Sequence, residues 1–409
     1  MAEYVIVLDP GHGSDEYHGG EFGPYIEKDI DLMVAMVMKD RLEKYENVKV
    51  IMTRTTDVVV DLKDRCDIAK ANKADYFISI HFNTSAEHNL YGSEVWLPVQ
   101  SQYYNKIYPF ANELMKGFDG MGLFNRGIKT RLSSNGKDNY YAVLKHSSNY
   151  GIPSCIIEHC HLDNANDTKL MPINDANAYS QALMNFGIND ADALAKALHL
   201  KSTALGVDYT DYKVVKGNAK GTLVKPDETP AETNKIELIG KNSSNSTVTL
   251  KMTAKDSGSY ILYYKYSTDG GMTYSDLIPW PRTNWNKSQD TFTTTIKVPN
   301  DRDLNIVTCV YNSYDKQTLS NVLNVSCIKN LAKVDIDNVS YDNVQLASGL
   351  AGIGSSTTYG TLKLVDTPHN NSTNNRFAGF TISTSITALL IIGLVIKVYL
   401  KKFLKGNND

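Results

Sequence analysis

Cysteine is scarce in this chain. It supplies five of 409 residues, too few for a fold that disulfide bonds hold together. An excess of positive charge is also missing, because 42 Lys and Arg residues face 45 Asp and Glu residues, for a net charge of −3. Overall charge therefore gives no reason to expect a nucleic-acid partner. The hydrophobic residues, 42% of the total, exclude a wholly disordered chain.

Long hydrophobic runs are missing as well, with one exception near the C-terminus. Residues 377–396 form a stretch of 20 uncharged residues, the length that a helix needs to cross about 30 Å of hydrocarbon. This stretch predicts a single-pass membrane anchor. The positive-inside rule then places the lysine-rich end in the cytoplasm and the bulk of the chain outside. No signal peptide is visible, because the N-terminus has no basic start before an apolar run.

Composition and periodicity divide the chain into segments. Residues 1–200 alternate β-branched runs with amphipathic stretches, which predicts an α/β domain with a mixed sheet flanked by helices. Residues 235–329 change to a period of two with turn sequences between the runs. That pattern predicts an all-β, Ig-like or fibronectin-like sandwich. The remaining segments are a linker at 201–234, a flexible stalk at 330–376, the transmembrane helix at 377–396 and a basic tail at 397–409.

Four polar side chains of the first domain follow predicted strands or open a helix. His12 comes after the first strand, within Asp-Pro-Gly-His-Gly, and is a metal ligand, a general base or only a loop residue. Glu27 opens a helix, where an acidic residue also suits the helix dipole. His81 and Glu158 each end an apolar strand, where a polar group needs a partner or a role.

These four residues are expected to meet, because the carboxyl ends of strands in an open α/β sheet line a common crevice. Two His and one Glu are a known ligand set for catalytic zinc, which keeps a fourth position for water. Another carboxylate would then serve as general base and acid. The sequence therefore predicts a hydrolytic zinc site.

Six motifs stand in order within residues 4–190. They are Asp9–Gly13, Glu27-Lys28-Asp29 with Leu32, Thr53-Arg54 with Asp57 and Arg65, Ser79–Asn83, Arg126–Lys129, and Pro153 to Glu158. In this order they resemble the zinc N-acetylmuramoyl-L-alanine amidases of the amidase-3 family. The resemblance implies zinc as cofactor, His12, Glu27 and His81 as its ligands, and Glu158 as the catalytic residue. It also implies a peptidoglycan substrate, cleaved between N-acetylmuramic acid and the L-alanine of the stem peptide. Together with the orientation expected from the positive-inside rule, this predicts a catalytic domain that faces the cell wall.

The residues after Glu158 depart from the family's pattern, which commonly has a Gly and an aromatic residue there. Here the run is His159–His161, whose members are extra metal ligands or packing groups. In a strand, residues 159 and 161 share the face opposite Glu158, so they cannot all converge. His18 is a further candidate ligand. Asn83 and Arg126 either bind the substrate or make structural hydrogen bonds.

Two other functions stay open. One is a membrane-anchored, non-enzymatic surface protein with a degenerate α/β domain, although none of the four site residues is missing. The other is a zinc peptidase that acts on stem-peptide bonds, although the chain lacks the His-Glu-x-x-His motif. In the second region, aromatic residues such as Tyr263 and Trp280 either contact a wall polymer or fill a core. Cys309 and Cys327 are either bonded or two buried thiols.

Overall fold

The structure is a computed structural model that describes residues 3–14, 20–281 and 288–328, together with three short strands further along the chain. Contacts divide the chain into two units, one from Met1 to Ile328 and one from Lys329 to Asp409. The first unit contains the predicted α/β domain and the all-β region that follows it.

Parallel and antiparallel strands share one sheet in the α/β domain. The strands of this domain are β1 (Tyr4–Pro10), β2 (Glu21–Phe22), β3 (Tyr25–Ile26), β4 (Val48–Met52), β5 (Tyr76–Asn83), β6 (Ser93–Trp96), β7 (Asn125–Lys129) and β8 (Ser154–His161). The central sheet has the order β4-β1-β5-β8-β6-β7, while β2 and β3 form a separate hairpin. β4, β1, β5 and β8 are parallel, and β6 runs antiparallel to β8. The predicted mixed sheet is therefore confirmed.

Helices cover both faces of this sheet. They are α1 (Glu27–Leu42), α2 (Leu62–Ala71), α3 (Ser101–Gly120), α4 (Ala142–Asn149), α5 (Ala165–Thr168) and α6 (Ala176–Ala197). Successive residues of a strand point to opposite faces. Ile6 and Leu8 of β1 accordingly join the core beneath α1, α3 and α6, whereas Val7 joins a second core beneath α2 and α4. Burial on both faces explains why residues 5–8 of β1 form an unbroken apolar run.

The all-β region consists of two antiparallel sheets. After the short pair β9 (Lys201–Ser202) and β10 (Val207–Asp208), its strands are β11 (Thr233–Asn242), β12 (Thr247–Lys255), β13 (Ile261–Ser267), β14 (Ile278–Pro279), β15 (Gln289–Lys297), β16 (Leu304–Asn312), β17 (Gln317–Leu319) and β18 (Leu323–Val325). One sheet has the order β11-β12-β15; the other has the order β14-β13-β16-β17, with β18 also on β16. Val248, Leu250 and Met252 of β12 share a core with Ile306 and Val310 of β16. The period of two thus reflects one buried and one outer face.

Aromatic residues and cysteines of this region lie mainly inside it. Tyr263, Tyr264 and Trp280 are at most 4% exposed, so they fill cores rather than present a stacking surface. Cys309 and Cys327 are free thiols, the first buried and the second partly exposed.

Beyond residue 328, the described backbone consists of β19 (Gln345–Ala347), β20 (Thr357–Thr361) and β21 (Thr381–Ile382). β20 pairs antiparallel with both β19 and β21. The rest of the predicted stalk and of the predicted transmembrane helix lies outside the described residues. Within the described part of the chain, no helix is both long enough and apolar enough to span a bilayer.

Candidate metal centre

Asp9 is the acidic residue of β1. It is buried and anchors the loop that carries His12. Its carboxylate accepts hydrogen bonds from Thr53 Oγ1 at 2.6 Å, just after β4, and from Ser79 Oγ of β5 at 2.7 Å. Arg65 Nη1 of α2 donates to the same carboxylate at 2.8 Å. These three donors satisfy a buried charge that would otherwise be costly. They explain why a Thr, a Ser and an Arg accompany the loop motif in the sequence.

His12 adopts a backbone conformation that non-glycine residues rarely have. Its φ is 57°, in the left-handed region. Two arginines hold the surrounding carbonyl groups: Arg54 Nη2 donates to Gly11 O at 2.6 Å, and Arg65 Nη1 donates to Pro10 O at 2.7 Å. Because these contacts fix the loop, they also fix the direction of the imidazole.

Glu27 is the first residue of α1, and its side chain lies between the two histidines. Its Oε1 is 3.0 Å from His12 Nε2 and 3.1 Å from His81 Nδ1, and it accepts the Phe82 N–H at 2.9 Å. Burial acts to raise the pKa of Glu27, but the hydrogen bonds from both histidines outweigh it and lower that pKa to about 2. Glu27 is therefore ionised, as a metal ligand must be.

His81 of β5 lies between Gly11, which follows β1, and Glu158 of β8. A Cβ on Gly11 would be only 2.2 Å from His81 Cε1, so the imidazole occupies space that only a glycine leaves open. On the other side, His81 of β5 pairs in register with Glu158 of β8. Directly paired residues of neighbouring strands present their side chains on the same face. β5 continues to Asn83 and β8 continues to His161, so His81 and Glu158 lie near, not at, the last residues of their strands.

Asp31 is a fourth group at this centre, and sequence reasoning missed it. Ligand atoms of His12, Glu27, Asp31 and His81 all lie within 4.8 Å of one another. Asp31 is fully buried, and neither of its carboxylate oxygens has a hydrogen-bond partner among the described residues. Burial and then the charge of Glu27 raise the pKa of Asp31 well above its usual value. The signal in the sequence was its position four residues after Glu27, on the same face of α1.

Glu158 has the properties of a group that holds and returns a proton. Its Oε2 is buried, with no hydrogen-bond partner within the described part of the chain. Burial, followed by the charges of Glu27 and Glu94, raises the pKa of Glu158 well above its usual value. A carboxyl group in such surroundings can serve as general acid and base near neutral pH.

Arg126 and Asn83 support Glu94 from two sides. Arg126 is 1% exposed, and its Nε donates to Glu94 Oε2 at 2.8 Å while its Nη2 donates to Asp315 Oδ2 at 2.7 Å. Asn83 Nδ2 donates to Glu94 Oε1 at 3.1 Å. The Arg126 guanidinium is enclosed, so this residue fits the structural alternative and not a contact with substrate. The amide of Asn83 is likewise engaged within the protein.

The histidines that follow Glu158 do not join the metal centre. His159 is fully buried, with Nε2 at 2.8 Å from Asp190 Oδ2 and Nδ1 at 2.9 Å from His81 O. Both neighbours are hydrogen-bond acceptors, so the ring braces the strand that carries His81. His161 Nδ1 lies 3.1 Å from Gly92 O. His18 lies outside the described residues.

The donor set fits a divalent cation. Two imidazole nitrogens and a carboxylate converge, which is a ligand set of catalytic zinc sites. The unpartnered carboxylate of Asp31 lies among them, and a bound cation would compensate its charge. With Glu158 on the neighbouring strand, the fold and the site define a metal-dependent hydrolase built on an open α/β sheet.

Comparison with known proteins identifies the family. The amidase-3 profile, described as N-acetylmuramoyl-L-alanine amidase, matches residues 6–188. The amidase CwlM of Bacillus licheniformis is 30% identical over 214 residues, which cover 51% of this chain and 73% of that protein. AmiC of Escherichia coli is 39% identical over 94 residues, which cover 22% of each chain. This chain belongs to the N-acetylmuramoyl-L-alanine amidase family.

Solved structures with similarity to this chain include the catalytic domain of CwlV, an N-acetylmuramoyl-L-alanine amidase from Bacillus (Paenibacillus) polymyxa. It is 28% identical, with a TM-score of 0.39, and the match covers 48% of this chain and 99% of that one. Cwp6 from Clostridium difficile is 26% identical, with a TM-score of 0.43 and coverage of 48% and 30%.

Proposed function

We propose that this protein hydrolyses the amide bond between the lactyl group of N-acetylmuramic acid and the L-alanine of the peptidoglycan stem peptide, with zinc as its cofactor. The observation that carries the proposal is the convergence of His12, Glu27 and His81, whose ligand atoms lie within 4.8 Å of one another. Glu158 stands beside His81 on the next strand. Membership of the amidase family supports the substrate class.

We assign His12, Glu27 and His81 to zinc binding, with Asp31 as an additional acidic group at the centre. Zinc bound there would polarise the carbonyl that is cleaved and acidify the attacking water. Because its pKa is about 2, Glu27 needs no deprotonation to bind a metal. His12 is held in place by its loop and His81 by its strand, so the ligands are positioned before the metal arrives.

Glu158 is assigned as general base and then general acid. Its carboxylate takes a proton from water as the oxygen of that water bonds to the lactyl carbonyl carbon. It then gives the proton to the alanine nitrogen as the carbon–nitrogen bond breaks. One water is consumed, and the products are a muramyl carboxylic acid and a peptide with a free amino group. The buried surroundings raise the pKa of Glu158, which favours the uptake of the proton from water.

The proposal is tested with the purified full-length chain and isolated peptidoglycan, with mass spectrometry of the products. Stem peptides with N-terminal L-alanine are expected, and chelation should abolish their release until zinc is restored. Glu158→Gln should keep zinc but lose activity by about 100-fold or more. His81→Ala should lose both zinc and activity. His146→Ala, a partly exposed histidine of α4, is the control and should change neither.

Product chemistry separates this proposal from the zinc-peptidase alternative. A peptidase would release fragments whose new amino termini are residues further along the stem peptide, and glycan strands would keep their L-alanine. A non-enzymatic surface protein would release nothing. Full activity of Glu158→Gln would remove that residue from the mechanism and leave the assignment of the metal ligands standing.

We also propose that residues 235–329 are an Ig-like or fibronectin-like module and that residues 377–396 anchor the protein in the cell membrane with its catalytic domain toward the wall. The two antiparallel sheets and the 20-residue uncharged run support these assignments. A protease added to intact cells should then digest the all-β region. Protection that lasts until the membrane is opened would place the domain on the inner side.

A further inference from the structure

The turn between β16 and β17 of the all-β region reaches a buried network of charges in the α/β domain. Asp315, in this turn, accepts a hydrogen bond from Arg126 Nη2 at 2.7 Å. Arg126 Nε donates in turn to Glu94 Oε2 at 2.8 Å, and Lys129 Nζ donates to the same oxygen at 2.6 Å. Arg126, Lys129 and Glu94 are each at most 3% exposed. An ion-pair chain therefore runs from the all-β region into the core of the sheet.

The charges of this network balance only when Asp315 is included. Arg126 and Lys129 carry two positive charges, and Glu94 and Asp315 carry two negative ones. Asp315 is partly exposed, whereas the other three side chains are buried. Removing the charge of Asp315 therefore leaves one buried positive charge uncompensated, which is costly in surroundings of low polarity. Asp315 thus holds the outer half of the Arg126 guanidinium and leaves Arg126 Nε directed at Glu94.

Glu94 lies beside the proposed catalytic residue. It pairs directly with Glu158 across the antiparallel strands β6 and β8, so their Cβ atoms are about 5 Å apart on one face. Its other oxygen accepts hydrogen bonds from Asn83 Nδ2 and Trp96 Nε1, both at 3.1 Å. Glu94 is therefore held by four donors, and the space left to the Glu158 side chain depends on where Glu94 is held.

Other contacts keep the same turn in place. The Tyr314 hydroxyl accepts the Thr130 N–H at 3.2 Å, and the Tyr314 ring lies 5.9 Å from Lys129 Nζ. Asp315 itself has a φ of 60°, a conformation that Asp and Asn tolerate better than most residues. A change from Asp to Asn at this position therefore removes the charge and leaves the backbone conformation accessible.

We propose that Asp315 is a positioning residue for amide hydrolysis, which acts through Arg126 and Glu94 to hold Glu158 in place. This inference rests on the proposed amidase function. It makes the all-β region part of the catalytic apparatus rather than a spacer, because one of its side chains completes the charge network beside the site.

The test compares full-length wild type with Asp315→Asn and two controls in the peptidoglycan assay. Asp315→Asn should lower kcat by about 10- to 100-fold, the effect of a displaced catalytic group, with KM within about twofold of wild type and unchanged zinc content. Tyr314→Phe removes an uncharged hydrogen bond from the same turn and should lower thermal stability with little change in kcat. Asp301→Asn, an exposed acidic residue of the same region, should change neither.

Two results would overturn the inference. In the first, the kcat of Asp315→Asn is within twofold of wild type. In the second, Tyr314→Phe and Asp315→Asn lose kcat equally in proportion to their loss of stability, which is the signature of a purely structural role. Inactivity of the wild type would instead contradict the proposed function, so the two failures are distinguishable.

Discussion

Asp31 is a fully buried acidic residue with no hydrogen-bond partner in the described part of the chain. Its pKa in the folded protein is raised well above the ordinary value of 3.8, first by burial and then by Glu27. Between these two pKa values the folded state binds more protons than the unfolded state. The stability of the metal-free protein should therefore fall as pH rises above about 4.

Replacing Asp31 by Asn should stabilise the metal-free protein. At pH 7 the gain in the free energy of unfolding is expected to be about 1–3 kcal/mol, because Asn avoids the proton uptake that burial of Asp31 requires above its ordinary pKa, and it should vanish toward pH 4. Urea denaturation of chelated protein across this pH range measures it. The control Asp29→Asn alters an exposed carboxylate in the first turn of the same helix and should be slightly destabilising. A stabilisation that does not depend on pH would contradict the explanation.

The cysteines give a second prediction at this scale. Burial raises the pKa of the Cys66 thiol to about 11 and raises those of Cys155, Cys160 and Cys309 as well. Buried thiols with few thiolate anions react slowly, whereas Cys327 is partly exposed. A thiol reagent at about pH 8 should therefore label one cysteine rapidly in the native chain and five after unfolding. Cys327→Ser should abolish the fast reaction; two fast thiols, or fewer than five after unfolding, would contradict the structure.

Residues with a distinctive neighbourhood in the sequence could be predicted, and residues defined by burial could not. His12, Glu27, His81 and Glu158 each stand beside an apolar run or a glycine, and the structure places three of them in one cluster. Asp31 looks like an ordinary polar residue of an amphipathic helix. Its burial without a hydrogen-bond partner among the described residues depends on tertiary packing. A local sequence pattern does not reveal that packing.

Among the elements, α1 and α6 pack tightly against each other at Gly187. A Cβ on this residue would lie 2.7 Å from Val34 O and 2.7 Å from Val37 Cβ. Contacts this short force neighbouring groups to move. Because α1 begins with Glu27, the packing of α6 against α1 also affects the position of this metal-centre residue.

Gly187→Ala should destabilise the protein by about 1–3 kcal/mol and weaken zinc binding, because α1 must shift. Urea denaturation and zinc titration measure these effects. Gly120→Ala is the matched control: it lies in helix α3, a Cβ added there would meet no described atom within 4 Å, and it should be neutral or slightly stabilising. Equal behaviour of the two variants would contradict the close packing.

Strand β7 shows where sequence patterns failed at this scale. Its five residues include Arg126, Gly127 and Lys129, a composition typical of a turn or a surface loop. The strand forms because partners elsewhere neutralise both charged side chains, chiefly Glu94. By contrast, residues 5–8 of β1 are a β-branched, apolar run, which predicts a buried strand directly.

In the whole molecule, residues 1–328 form one compact unit. Composition predicts a linker at 201–234 between two modules, and this boundary stays a prediction. The contacts across it are both apolar and polar. Tyr91 and Phe124 pack against Tyr263 in one hydrophobic cluster, and Arg126 pairs with Asp315. A change in composition marks where patterns differ, but it says nothing about such contacts.

A chain ending at Ile328 should therefore unfold in a single transition. Circular dichroism at 222 nm follows the helices, which in the described chain belong to the α/β domain. In Trp96→Phe, tryptophan fluorescence follows the all-β region alone. The two midpoints in urea should coincide, since a shared hydrophobic cluster and an ion-pair network couple the regions. Separate midpoints would show that the regions unfold independently.

The imidazole of His81 stands where any side chain at position 11 would be. The position of His81 thus depends on the absence of a Cβ atom at residue 11. A methyl group added there would displace the imidazole and abolish activity, although all the metal ligands are still present in the sequence. Inactive relatives that descend from this enzyme would then keep His12, Glu27 and His81 in their sequences. Residue 11 is where their loss of activity should be sought.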